Sequence, residues 1–283
     1  MGESKKRRKV ESESSSATAQ GRRDWTELPD DVTAWILVLS NPKAIDILKE
    51  YQMVCKTWRR VCCNYSILWR TIDIDFRHKK GKLDSVLKMC RRAVDRSSGT
   101  LVVLTLQNFR TGTDKLLKYI TNSCRGIKRL TLANCVKITD EGLREVASKL
   151  PLLEDLGISH GSVSQKTVEV IGKSCPLLKS LRWNKNIEID TKRLDDDCAK
   201  AIAAGMMHGL LHLVLSGIHL SNDALDDILN YSRHLESLDL SNISIWTLDG
   251  RRDIFREDLK RKLTEHVKNV RPPPTDLYCR YRD

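Results

Sequence analysis

Aliphatic residues recur along most of the chain with one fixed internal spacing. The pattern is Leu-x-x-Leu-x-Leu, where x is any residue, and its six copies start 26, 26, 25, 32 and 25 residues apart. The copies begin at Leu101, Ile127, Leu153, Leu178, Leu210 and Leu235, and a degenerate copy begins at Trp69. The alternating positions predict a short strand in each copy, and the apolar-periodic segments between copies predict short helices.

A regular repeat of this length predicts an α/β solenoid. Periods of about 20 to 29 residues with this leucine spacing are the signature of leucine-rich repeats. One repeat cannot bury its own apolar edge, so we expect a curved horseshoe over residues 71–248, with parallel strands on its concave face and helices on its convex face. Residues 249–283 depart from the template, and apolar residues from Ile254 to Val267 predict a capping helix that precedes a tail.

The segment before the repeats has helical periodicity. Its first apolar run has i, i+3, i+4, i+7 spacing and follows Asp30 and Asp31, two carboxylates that favour a helix N-terminus. The apolar residues of this run are Val32, Trp35, Ile36 and Leu39, and two further runs contain Ile45 and Leu48, then Val54, Trp58 and Val61. Three helices over residues 24–70 form only a small core, which predicts apolar surface that a partner covers.

The same segment resembles the F-box motif across its whole length. The resemblance is carried by Leu28-Pro29-Asp30-Asp31-Val32, Ile36-Leu37, Val54-Cys55-Lys56-Thr57-Trp58-Arg59-Arg60 and Leu68-Trp69. It implies docking onto a Skp-type adaptor, through which the cullin and RING subunits of a ubiquitin ligase are recruited. The motif residues expected to bind the adaptor or to form the small core are Leu28, Pro29, Val32, Ile36, Leu37, Val54, Cys55 and Trp58.

An F-box followed by repeats is similar to the organisation of plant F-box/leucine-rich-repeat proteins. The repeat that contains Asn134-Cys135 and Ile138-Thr139-Asp140 resembles a cysteine-containing subtype common in F-box proteins. This likeness predicts that Cys124, Cys135 and Cys175 are small buried side chains. It also implies a non-catalytic substrate-recognition subunit, for which we expect no cofactor.

A protein substrate is expected to bind the concave face. Residues that flank each inward-facing leucine fall into files across the strands, and the charged candidates among them are Arg129, Asp155, Arg182, His212 and Asp239. The next file, which runs from Gln107 to Ser241, is small and polar. A surface of this composition suits a protein or peptide better than an apolar small molecule.

The formal net charge of +12 is concentrated in particular segments of the chain. Within the polar tail 1–23, the run Lys5-Lys6-Arg7-Arg8-Lys9 resembles a nuclear localisation signal and predicts a protein of the nucleus, with the cytoplasm as a second location. Residues 56–96 are also basic, whereas the chain beyond residue 97 is close to neutral, which makes a nucleic-acid partner an unfavoured interpretation. Two alternatives stay open: a nuclear repeat scaffold without ligase function, and a nucleic-acid-associated protein.

Signals for catalysis, metal binding or membrane insertion are weak. Residues Gly157-Ile158-Ser159-His160-Gly161 match the G-x-S-x-G elbow of hydrolases, but the repeat register explains them as alternating core and concave positions. His208 and His212 do not share a helix, so we expect no metal site. No uncharged apolar run approaches the roughly 20 residues that a membrane helix needs.

Overall fold

The computed structural model describes residues 27–77, 83–109, 113–135, 137–159, 163–185 and 195–273. The basic run at residues 5–9, predicted to be a nuclear localisation signal, lies outside these ranges. Among the helices within them, none is long and apolar enough to span a membrane.

Three short helices precede the sheet. They are α1 (Asp30–Leu39), α2 (Ala44–Lys49) and α3 (Lys56–Asn64), with 3-10 turns at Tyr51–Met53 and Ser66–Trp69. The Cys55 side chain caps α3 by accepting a hydrogen bond from the Trp58 backbone N–H at 3.4 Å. Arg60 on α3 donates two hydrogen bonds of 2.6 Å to Asp30, so the first turn of α1 is tied to α3.

The repeats form one parallel sheet whose strands lie in chain order. The strands are β1 (Thr71–Asp75), β2 (Val103–Gln107), β3 (Arg129–Ala133), β4 (Asp155–Ser159), β5 (Ser180–Asn184), β6 (His212–Leu220), β7 (Ser237–Ile245) and β8 (Asn269–Arg271). The first seven coincide with the seven copies of the leucine template, whose inward positions are buried. The predicted α/β horseshoe is therefore confirmed.

A helix connects each strand to the next. These helices are α4 (Leu83–Ser97), α5 (Thr113–Ser123), α6 (Asp140–Ser148), α7 (Gln165–Ser174), α8 (Asp196–Ala201), α9 (Asn222–Tyr231) and α10 (Glu257–His266). A single π-helical turn, Ile202–Met206, continues α8. The buried faces of strands and helices form one core that is continuous from α1 to α10.

Trp69 lies where the three-helix segment meets the first repeat. Its ring is fully buried, and its Nε1 donates a hydrogen bond to the Cys62 carbonyl at 3.0 Å. The Arg96 guanidinium of α4 lies 5.4 Å from the Trp69 ring centroid and also donates to the Gln52 side chain at 3.3 Å. The F-box-like helices therefore cover the open edge of the first repeat and share its core.

Hydrogen bonds between helix N-termini tie successive repeats together. The Thr139 hydroxyl donates to Asp114 at 2.6 Å and accepts from the Gly142 N–H at 3.0 Å, so it caps its own helix and binds the preceding one. Ser164 makes the same pair of contacts one repeat later, where it caps α7 and donates to Asp140. These contacts act together with core packing to fix the relative positions of neighbouring helices.

The C-terminal segment differs from the predicted cap. Helix α10 begins at Glu257, and Ile254 lies before it with an exposed side chain. The chain then adds β8 in parallel with β7, which extends the sheet by an eighth strand. A helix is therefore present in the predicted segment, with Leu259 and Leu263 buried. The additional strand was not predicted, because Val267-x-x-Val270 follows the leucine template only until Pro272 takes its third apolar position.

We predict that Ser164→Ala lowers the free energy of unfolding by about 1 to 2 kcal/mol, because it removes both a helix cap and a contact between repeats. The control is Ser148→Ala, since the exposed Ser148 hydroxyl donates to the Glu145 carbonyl within its own helix. Urea unfolding followed by circular dichroism measures both. Equal losses for the two variants would contradict a role for Ser164 between repeats.

Asp140 makes this contact sensitive to acid. Partial burial acts to raise the pKa of Asp140, but hydrogen bonds from Ser164 and Thr167 outweigh burial and hold the pKa below its ordinary value. The contribution of ionised Asp140 to the free energy of unfolding is therefore complete above about pH 4, which is the pKa of an aspartate in the unfolded chain. This contribution is lost as the pH falls through the lower pKa that Asp140 has in the folded protein. We predict that Asp140→Asn destabilises the protein at neutral pH and that this deficit shrinks in acid. A deficit independent of pH in urea titrations would refute the assignment.

Candidate functional site

Helix α1 directs its most apolar stripe to solvent. The stripe consists of Val32, Trp35, Ile36 and Leu39, all of them exposed, and Trp35 and Leu39 are 58% and 81% exposed. The opposite face of α1, with Ala34 and Leu37, is buried in the core. Large apolar side chains that gather on one exposed face usually mark a surface for a partner. We call these four residues the α1 stripe.

The eight motif residues predicted to bind an adaptor fall into three groups. Pro29, Val32, Ile36 and Val54 are exposed, and Leu28, Cys55 and Trp58 are partly buried. Leu37 is 1% exposed, so it belongs to the core and is not available to contact an adaptor. Adaptor contact by the other seven stays a prediction.

Three exposed apolar residues were missed by the motif comparison. Trp35 and Leu39 share the helical spacing of Val32 and Ile36, and this spacing was the signal that placed them on one face. Met53 is exposed in the turn before α3, next to the exposed Val54. The motif likeness omitted them because it records residue identities and not the direction of each side chain.

The strand register places the predicted substrate-binding residues in two files. One file consists of successive register partners on neighbouring strands, namely Arg129, Asp155, Ser180 and His212. Arg182 and Asp239 lie in the adjacent file. Arg182 donates a hydrogen bond to Asp155 at 3.0 Å, so two of the five form an ion pair across the files. Substrate contact by these residues stays a prediction.

The third file departs from the predicted register at its C-terminal end. Irregular pairing between β6 and β7 places Asn242, instead of Ser241, opposite Ser216. The Asn242 amide donates to the Ser216 hydroxyl at 2.9 Å. Because both strands run for nine residues, they project beyond the five-residue strands of the earlier repeats.

A charged row runs along the start of the central strands. Glu154 accepts hydrogen bonds from Lys128 at 2.8 Å and from Lys179 at 3.3 Å, so one carboxylate bridges three repeats. These two lysines hold the pKa of Glu154 below its ordinary range. Near the last strands, Lys268 pairs with Glu236 at 3.1 Å and Arg271 pairs with Asp239 at 3.3 Å.

Ser159 has a structural explanation. It ends the regular strand β4, where it pairs with Ala133 and Asn184, and residues 160–162 lie outside the described ranges. A nucleophile elbow places its serine in a sharp strand-to-helix turn, which differs from this position. In the part of the chain that the structure describes, no group of three or more His, Cys, Asp or Glu residues is arranged to hold a metal ion.

The cysteines of the repeats are small core side chains. Cys124, Cys135 and Cys175 are buried, which confirms that prediction. Burial raises the pKa of Cys135 and Cys175 to about 11 and that of Cys90 to about 12. Because the thiolate is the nucleophilic form of cysteine, these thiols are poor nucleophiles at neutral pH.

Comparison with known proteins identifies the family. F-box/LRR-repeat protein 23 of Arabidopsis thaliana is 42% identical over 89% of this chain and 54% of its own length. F-box protein SKIP19 and F-box/LRR-repeat protein 9 of the same plant are 39% and 38% identical over 90% and 77% of this chain, and over 79% and 87% of their own lengths. The chain thus spans about half of the first relative and most of the other two. It belongs to the plant F-box/LRR-repeat family.

Comparison with solved structures supports the fold and nothing further. No family model matches the chain. A solved structure of a Bacteroides fragilis protein superposes with a TM-score of 0.50 at 11% identity, covering 88% of this chain and 72% of that one. This likeness supports the architecture and carries no statement about partners.

Proposed function

We propose that the chain is the substrate-recognition subunit of a Skp-cullin-F-box ubiquitin ligase. The observation that carries this proposal is the exposed α1 stripe, which lies within the F-box motif of a member of the F-box/LRR family. The stripe binds a Skp-type adaptor, and the adaptor links the chain to cullin and RING subunits. In this proposal the chain positions the substrate, and the catalytic groups belong to other subunits of the ligase.

The composition of the stripe suits a protein interface. Trp35 is a large aromatic side chain more than half exposed, and aromatic residues are enriched among the few side chains that dominate binding energy. Val32, Ile36 and Leu39 surround it with aliphatic surface. An adaptor groove that buries this face would remove its apolar surface from water, which favours binding.

The mechanism is positional. The F-box helices share a continuous core with the repeats through Trp69, so a substrate held on the concave face keeps a fixed position relative to the adaptor. The complex then presents a substrate lysine to ubiquitin carried by another subunit. Holding two reactants in place converts a bimolecular encounter into an effectively unimolecular one.

We also propose that the protein acts in the nucleus. It is supported by the basic run Lys5–Lys9, which is a dense cluster of cations in a polar segment. No nucleic-acid function is proposed, because the charged side chains of the concave face are mostly paired with one another.

We predict that Trp35→Ala with Leu39→Ala weakens adaptor binding by about 30-fold or more, the effect of losing an interface hot spot. Both side chains are exposed, so the fold is retained. The paired change Leu28→Ala and Pro29→Ala is expected to abolish pull-down and leave the repeats folded. Affinities are measured by titration with purified adaptor.

The matched control is Tyr231→Ala, because Tyr231 is an exposed aromatic residue at the end of α9, far along the chain from the F-box. It should bind the adaptor like the wild type. Wild-type adaptor affinity in the Trp35 and Leu39 double variant would refute the proposal and favour a repeat scaffold without ligase function.

A further inference from the structure

We propose that the turns from helix to strand in the middle of the repeats form a docking surface for a protein segment that has apolar anchors with carboxylates on both sides. We call it the turn surface. It consists of the two residues that precede the first apolar position in five successive copies of the template, from Arg125-Gly126 to Arg233-His234. It is separate from the concave face and from the α1 stripe.

The centre of the turn surface is apolar. Pro151-Leu152 and Pro176-Leu177 occupy equivalent positions in neighbouring copies of the template, so the register of β4 and β5 places them side by side. Leu152 is 44% exposed and Leu177 is 46% exposed. Single exposed leucines are ordinary in soluble proteins, but a contiguous group of prolines and leucines forms an apolar patch of the kind that marks interaction sites.

Glycines border the two leucines on either side. Gly126 and Gly209 hold the position of Leu152 and Leu177 in the flanking copies of the template. A Cβ atom at Gly209 would lie 3.6 Å from the Leu178 carbonyl oxygen, so this turn packs directly against the preceding one. The leucine side chains therefore project beyond the glycine turns that flank them, and a partner segment has access to them from both sides.

A cavity of about 210 Å³ lies next to the last two turns of this surface. Its buried residues Ile202, Met207 and Leu210 are apolar, and the exposed Tyr231 and His234 lie at its rim. Ile202 begins the π-helical turn, a rare element that is frequent at functional sites. A site for a whole small molecule usually has about 300 to 1,000 Å³. Because this cavity is smaller, it fits one large side chain of a protein partner.

Exposed cations lie at both ends of the turn surface. Among the described residues, no carboxylate forms an ion pair with Arg125 at one end or with Arg233 at the other. In the row beside the leucines, two lysines share the single carboxylate of Glu154. The C-terminal end of α9 carries about half a negative charge, which is less than the charge of Arg233 alone. The surface is therefore positive around an apolar centre, and it complements apolar anchors that are flanked by Asp or Glu.

The spacing of the turns sets the length of the partner segment. Arg125 precedes β3 and Arg233 precedes β7, so they are separated by four strand spacings, or about 19 Å. About six extended residues or about thirteen helical residues cover this distance. The leucines and the cavity lie between the two cations. The apolar anchors therefore belong in the middle of the segment and the carboxylates at its ends.

The test uses the purified full chain and four degenerate peptide libraries of about 15 residues, long enough for either conformation. The central positions are fixed as Leu and Phe or as Ser, and the flanking positions as Glu or as Lys. We expect the library with the apolar centre and Glu flanks to bind at least about tenfold more tightly than each of the others, because it alone gains both apolar burial and charge pairing. Equal binding by the Lys-flanked apolar library, or by the Ser-centred library with Glu flanks, would overturn the inference.

Variants of the apolar residues locate the binding site. The pair Leu152→Ser and Leu177→Ser should remove about tenfold or more of the affinity for the preferred library, and so should Tyr231→Ala, because its ring forms part of the cavity. The matched control is the pair Leu248→Ser and Ile254→Ser, two exposed apolar residues between β7 and α10. Circular dichroism checks that every variant is folded. An equal loss in the control pair would contradict the turn surface.

Variants of the charged residues test its two ends. Arg125→Gln with Arg233→Gln should lower the affinity about fivefold or more, because it removes both exposed cations. Lys88→Gln with Arg92→Gln removes the same charge from the exposed side of α4 and should leave the affinity unchanged. Equal losses in the two pairs would mean a non-specific attraction to the basic chain, which would refute the proposed recognition.

Two other occupants give different results. Vesicles of phosphatidylserine and phosphatidylcholine are titrated separately, and analytical ultracentrifugation measures self-association of the chain. Vesicle binding or dimerisation that Leu152→Ser with Leu177→Ser abolishes, without any preference among the peptides, would overturn the inference in favour of a lipid surface or a second copy. We expect adaptor affinity to be unchanged in every variant of the turn surface, since none of them alters the α1 stripe.

Discussion

The constraint on which the whole structure depends is that each repeat has an apolar edge that the next unit must cover. Between repeats, the following strand and helix cover it, and hydroxyl contacts such as Ser164 to Asp140 fix the spacing. At the C-terminal end, α10 and β8 continue the stack. At the N-terminal edge of the first repeat, the three F-box helices provide this cover around the fully buried Trp69.

This constraint explains how one short helix serves both fold and function. The face of α1 that carries Ala34 and Leu37 is used to close the core, and so it cannot bind anything else. Its other face keeps Trp35 and Leu39 exposed, and burial of these side chains against the proposed adaptor would be favourable. The shared core also transmits position, because a surface on the repeats and the α1 stripe belong to one body.

The features that depend only on which side chains are buried could be predicted from the sequence. Strands β1 to β7 were predictable because three inward-facing apolar residues recur in every copy, whereas β8 was not, since Pro272 interrupts its template. The files of the concave face followed from the register, but the pairing of Arg182 with Asp155 did not, because it depends on side-chain conformation across two files. The shift to Asn242 required knowledge of a strand irregularity. Motif likeness identified the F-box without revealing that Leu37 points inward and Trp35 outward.

Hydroxyl-radical footprinting with and without a Skp-type adaptor tests the central claim most directly, that the outer face of the F-box docks while its inner face closes the core. In the free chain, the exposed Trp35 and Met53 should be oxidised readily, and the buried Trp69 and Trp183 should resist. Saturating adaptor should protect Trp35 and leave the exposed Tyr231 as reactive as before. Continued oxidation of Trp35 in the saturated complex, or new reactivity of Trp69, would contradict the account.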